Sequence, residues 1–236
     1  TMKKKFSLLM AVLMLAMLLA GCGGDKGVGG EGGGSSAPAD TGSSDGSGAS
    51  AVAEDTNTVA VGAVVIARDD VPEDDIYALT SAIFENIPTI TEQHAKGGEL
   101  DLDFASSVTS VPYHPGAAKY FAEKGKEVAS VKDGAGSGDS KALTFGTGGE
   151  SGTYYAFGGV LSNFVSNSTG VSVTAITSGG SKENIENLAA GDVQLGFVQS
   201  DVMSYAYNGE RLFDAKVENF SVVAALYMEQ VQIVTT

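Results

Sequence analysis

The sequence holds little of what most catalysis and metal binding rely on. Of its 236 residues, one is a cysteine and two are histidines, His94 and His114, on different segments. A lone thiol excludes an internal disulfide and a cysteine-ligated metal. Two separated histidines offer no base dyad, and the glycine-flanked Ser151 sits in G-E-S-G-T rather than in the G-x-S-x-G of a nucleophile elbow. No catalytic residue and no metal site is therefore expected, and the chain is read as a non-enzyme. Positive charge is scarce too. Fourteen Lys and Arg face 29 Asp and Glu, a net charge of −15, which makes nucleic acid a poor partner. Arg68 and Arg211 are the only arginines. A small anion is still admissible, because fields beyond about 8 Å are screened at physiological salt and local donors decide its binding.

What is present begins with an export pattern. Lys3, Lys4 and Lys5 precede an apolar block from Phe6 to Leu19, which runs into Leu19-Ala20-Gly21-Cys22. A basic start, an apolar stretch too short to span a bilayer and small residues before a cut site mark a signal segment, here of the lipoprotein kind. The expectation is a signal peptide over 1–21 and a lipidated Cys22 that holds the chain extracytoplasmically at the cell membrane. Cleavage would take three of the 14 basic residues and no acid, leaving a net charge of −18. Residues 22–57 are rich in Gly, Ser and Ala with little to bury, and read as a flexible tether with a root-mean-square span of about 30–35 Å.

Residues 58–236 alternate strand and helix signals. The β-branched run 58–67 reads as a buried strand, and "VPEDDIYALTSAIFENI" reads as a helix that Pro72 opens, with Ile76, Leu79, Ile83 and Ile87 along one face. Its acidic start, Glu73 to Asp75, suits the positive end of a helix dipole better than a metal site. A short helix follows from Pro115 to Gly125. The segment 133–141 reads as a flexible joint. Beyond it "ALTF", "GVSVTAIT", the alternating Val193, Leu195 and Phe197, "FSVVAALY" and "VQIVTT" read as strands separated by helices. The expected fold class is α/β, with a doubly wound, mainly parallel sheet.

Three loops stand where such sheets gather ligands, at the carboxyl ends of strands that feed helices. The first lies in "FGTGGESGTYYAFGG", Phe145 to Gly159. It fails the dinucleotide fingerprint, because Ser151 stands where the third glycine belongs, and no lysine completes a P-loop, so no cofactor is expected. Thr147, Gly148, Gly149, Thr153, Tyr154 and Tyr155 are its candidate ligand contacts. The second loop contributes Ser178, Gly179, Gly180 and Ser181, and the third contributes Gln199 and Asp201. Glycines let a backbone approach a ligand, free first-turn amides favour negative charge, and the hydroxyls and amide add neutral hydrogen bonds. The same residues would equally serve as turns and helix caps. Asp201 is placed either to meet an amino group or to cap the next helix. Arg68, at a strand end, is open to the cleft or to solvent.

"LTFGTGGESGTYYAFGGVLSNFV", "TSGGSKENIENLAAGDVQLGFVQSDVMSYAYNG" and "AALYMEQVQIV" resemble the N-terminal part of the TAXI family, the extracytoplasmic solute-binding proteins of TRAP transporters. The stretch from "TVAVGAVVIARDD" to "SVPYHPGAAKYFAEKG" resembles the C-terminal part of that family, yet precedes the other. The resemblance implies one lobe of a periplasmic-binding-protein-like fold over 58–236, in circularly permuted order. Residues 58–132 would correspond to the family's C-terminal part, 133–141 to a linker and 142–236 to its N-terminal part, and nothing corresponds to a second lobe. It implies a small anionic or zwitterionic solute, such as an organic acid or glutamate-like amino acid, and a TRAP membrane permease as partner. With one lobe instead of two, affinity is expected to fall towards millimolar. The alternative is a tethered envelope interaction domain that binds no small molecule.

Overall fold

Residues 58–139 and 142–232 are described by a computed structural model; the export segment, Cys22 and the whole tether 22–57 lie outside them. Five strands form one sheet in the order β3-β2-β4-β1-β5. These are β1 (Ala60–Arg68), β2 (Leu143–Gly146), β3 (Val173–Ile176), β4 (Leu195–Gln199) and β5 (Phe220–Gln230). β2 pairs parallel with β3 and β4, whereas β1 lies antiparallel between β4 and β5. Four of the five strands thus point one way, so the sheet is mixed and mostly parallel. β1 earns its inner place from composition: Ala63 through Ala67 are at most 2% exposed, as an uninterrupted apolar run between two partners must be.

The helices are α1 (Glu73–Glu85), α2 (Ile87–Gln93), α3 (Leu102–Ala105), α4 (Pro115–Glu123), α5 (Thr153–Ser168), α6 (Ser181–Ala190) and α7 (Ser200–Asn208), with a 3-10 turn at Ala95–Glu99. Strand parity assigns three of them, α1 and α5 to one face and α6 to the other. Val65, Phe145 and Leu195 line a small gap with Leu79 and Ile83 of α1 and Leu161 and Val165 of α5. The next residue on each strand faces the other way. There Gly146 and Gly196 lie against Asn184 of α6. Helices cover both faces, as a doubly wound sheet requires.

Two expected elements differ. The helix expected from Pro72 onward breaks at Asn86, whose φ of −127° ends α1 before α2 begins. Pro88 explains the break, since a proline inside a continuous helix removes an amide donor and collides with the carbonyl four residues earlier. Of the last two expected strands, the first is β5, which runs on through Met228, Glu229 and Gln230, while Val231 and Gln232 of the second lie outside any strand. Residues 233–236 lie outside the described residues.

The described part of the joint, 133–139, has neither helix nor strand, but it is fastened. The Gly136 amide donates to Asp69 O at 2.8 Å, and its carbonyl accepts from the Glu73 amide at 3.0 Å. Just before it, Lys132 Nζ donates to Tyr207 Oη at 3.1 Å and to Glu218 O at 2.5 Å, and stands 3.6 Å from Asp69 Oδ2.

Candidate functional site

Because β2, β3 and β4 run parallel, their carboxyl ends share one edge of the sheet, and each is followed by a helix that starts there. A hollow of about 350 Å³ opens at this edge. Gly148, Gly149, Gly152, Thr153 and Tyr154 form its wall on the first loop; Gly179, Gly180 and Ser181 form the second; Gln199 and Glu229 complete it. All three helices that begin here, α5, α6 and α7, lack a side chain bonded to their first-turn amides. Their caps are Gly152, Gly180 and Gln199, all of them lining residues. The orphan amides of three helix starts therefore converge on one space, with the positive ends of three dipoles behind them.

Other side chains of the loops are spent on lacing them together. Thr147 is fully buried, and its hydroxyl donates to Ile176 O at 2.6 Å, tying the exit of β2 to that of β3. The Ser178 amide donates to Gly148 O at 3.1 Å, while Ser178 Oγ accepts from the Gly180 amide at 3.1 Å. Ser181 Oγ accepts from the Gln199 amide at 3.0 Å. Asn184, also fully buried, donates from Nδ2 to Thr147 O and to Phe197 O, each at 2.7 Å, and so pins α6 beneath two loops at once. A Cβ on Gly146 would come 2.6 Å from Asn184 Oδ1, which is why the strand ends in glycine. Gly180 has φ 99° and ψ −154°, a backbone region that essentially only glycine adopts.

Eight of the twelve expected contacts line the hollow: Gly148, Gly149, Thr153, Tyr154, Gly179, Gly180, Ser181 and Gln199. Thr147 and Ser178 lie among the stitching bonds instead. Tyr155 faces a different hollow, between α5 and the edge strand β3, with Val160, Asn163 and Thr174. A helix turn explains this, since neighbouring residues point about 100° apart and Tyr154 takes the inner direction. Asp201 does not line the hollow; its Oδ1 is buried in the first turn of α7 without a hydrogen-bond partner among the described residues. Arg68 lies at the other end of the sheet, paired with Asp70, because β1 runs against its neighbours and carries its last residue away from the loops.

Sequence reasoning missed Glu229, Gly152 and Asn184. Glu229 Oε2 accepts from Tyr154 Oη and from Gln199 Nε2, both at 3.1 Å. The Tyr154 ring stacks on Phe197 with centroids 4.3 Å apart, and burial first, then the Glu229 charge, push its hydroxyl pKa up. Only a strand running past its expected end would have found Glu229. Extending "FSVVAALY" by two residues of strand carries Glu229 to the loop edge.

An open hollow at the loop edge of a mostly parallel α/β sheet, walled by glycines and helix starts, is the arrangement of a periplasmic-binding-protein-like lobe. The NMT1-like family model matches residues 46–125 and 145–236, and the chain belongs to that family. Membership brings a solute-binding function in transport, in a family of binding proteins rather than enzymes. It is this broader class, rather than the TAXI branch, that the match establishes. Such families are typically extracytoplasmic, and among the described residues no helix is long and apolar enough to cross a membrane.

Proposed function

We propose that this chain is an extracytoplasmic solute-binding lipoprotein of the TAXI branch of TRAP transporters, exported by residues 1–21 and held at the membrane through Cys22 and the tether 22–57. It captures a small organic acid or amino acid at the loop edge of the sheet and passes it to a membrane permease. The observation that carries this reading is the convergence of three uncapped helix starts on one hollow. A carboxylate there accepts from main-chain amides in a field already positive, with no arginine needed.

The permuted, single-lobe organisation belongs to the same proposal. β1 begins and β5 ends beside each other at the edge of the hollow: the Val231 amide donates to Val59 O at 2.8 Å and Thr58 Oγ1 donates to Val231 O at 2.6 Å. This is where strands leading to a second lobe would leave, and the gap in the family match, 126–144, contains the joint at 133–141. A lobe that covers a solute from one side binds it at about millimolar strength.

Calorimetry and thermal shift on the full chain, with a panel of carboxylic acids and amino acids, test the reading. A solute at 100 times its Kd raises stability by about 2.7 kcal/mol. A melting temperature that no acid moves would reject solute capture. A second reading rests on the exposed apolar side chains at the same edge, Val59 at 72% and Val231 at 51%. An interaction domain would dimerise or bind an envelope protein through them, with no response to acids.

A further inference from the structure

The hollow is built for an anion on most of its wall and against one at a single point. Glu229, half-buried at the end of β5, brings a carboxylate into a space otherwise lined by glycines, hydroxyls and an amide. Its Oε2 is held by two neutral donors, Tyr154 Oη and Gln199 Nε2. Its Oε1 accepts from no described group. Among the described residues no lysine, arginine or histidine pairs with it: Lys182 is committed to Glu186, and Lys96 to Glu99. Two neutral donors fix the direction of a carboxylate without cancelling its charge.

A plain organic acid seated on the helix starts would face that charge across a small space, and like charges in a partly desolvated site repel strongly. A solute that carries an ammonium group beside its carboxylate turns the repulsion into an ion pair. It also supplies donors to the vacant Oε1. We propose that Glu229 is a specificity-determining residue that selects solutes bearing an ammonium group, with Tyr154 and Gln199 as positioning residues that aim its free oxygen into the hollow. The zwitterion then spans the site, its carboxylate on the amides of α5, α6 and α7 and its ammonium on β5. This rests on the reading of the hollow as the solute site.

Matched pairs that differ only in the amino group give the test: L-glutamate against glutarate, L-alanine against propionate, and L-leucine against 4-methylpentanoate, titrated calorimetrically into the full chain and into Glu229→Gln. The amide keeps the size of the side chain and an acceptor oxygen for Tyr154, and an unchanged circular dichroism spectrum with a melting temperature close to the parent's verifies that the variant folds. In the parent, the amino member of at least one pair binds tenfold or more tighter, about 1.4 kcal/mol. In Glu229→Gln that preference shrinks towards unity, because the amino acid weakens while its deamino partner holds or tightens. Equal binding of both members by the parent overturns the role of Glu229 and leaves the solute site standing. So does a variant that weakens both members alike. Binding of neither member in any pair removes the solute site itself, and the proposal with it.

Discussion

The two ends of the sheet face the same difficulty, a row of strand and helix termini with unpaired polar groups, and they resolve it in opposite ways. At the end away from the hollow the charged side chains are tied down, although Asp69 Oδ1 and Ser221 Oγ are buried there without a hydrogen-bond partner among the described residues. Arg68 grips Asp70 through two nitrogens, at 2.5 and 2.9 Å, and reaches Val193 O. Lys132 joins Asp69, Tyr207 and Glu218, and His114 is buried between Val71 O and the Gly116 amide. At the hollow, three helices begin without a side-chain cap, and the Glu229 carboxylate has neutral donors but no cationic partner among the described residues. Uncapped helix starts cost stability that the rest of the fold must supply, so the gathering of three of them on one edge marks where a ligand completes the structure.

The sharpest way to break this comparison is to cut the bond network that keeps the open edge in shape. Asn184→Ala leaves Thr147 O and Phe197 O buried without their donor, and we expect a loss of about 3 kcal/mol, a fall in melting temperature of roughly 6–12 °C. A loss below 1 kcal/mol by denaturant titration would mean that the loops hold their places without the staple. The closed end has a counterpart of similar size, set by pH. Burial lowers the His114 pKa to about 4 from an ordinary 6.5. A base whose folded pKa is depressed stabilises the fold fully above about pH 6.5, and that contribution drains away as pH falls towards 4, because the unfolded chain binds the proton first. The lowering corresponds to about 3 kcal/mol. Comparing the pH 7 to pH 4 loss of stability in the parent with that in His114→Asn, which retains a capping side chain, isolates it. Equal losses in the two proteins would remove His114 from the account.

Much of this asymmetry is legible in the sequence. The three loops announce themselves, because glycine and hydroxyl residues between an apolar run and a helical stripe admit few structures. The alternation of strand and helix signals yields the α/β class. Chemistry that depends on pairing between distant segments is not legible. Nothing in "SKENIENLAAG" says that Asn184, rather than Asn187, turns inward beneath two loops. Whether Glu229 reaches the hollow depends on β5 continuing two residues beyond "FSVVAALY", a register fixed by its pairing with Val61 of β1, 168 residues earlier. The direction of β1 is hidden for the same reason, and with it the displacement of Arg68 to the far end.

Two smaller effects separate stability from binding at the two ends. Gly180→Ala forces a side chain onto a backbone at φ 99° and ψ −154°, which costs about 1–3 kcal/mol and tilts the start of α6, so both melting temperature and solute affinity should fall. An alanine accepted without loss would show that this loop relaxes freely and does not pre-form the site. Lys132→Ala sits at the closed end. Its ammonium is partly solvated, and such pairs contribute about 1 kcal/mol or less, so the change should lower the melting temperature by about 2–4 °C. Because Lys132 lies across the sheet from the hollow, the Kd for any solute that binds should stay within twofold of the parent's. If Lys132→Ala weakens solute binding as much as Gly180→Ala does, the two ends are mechanically coupled, and the division between a closed scaffold and an open, ligand-completed edge is wrong.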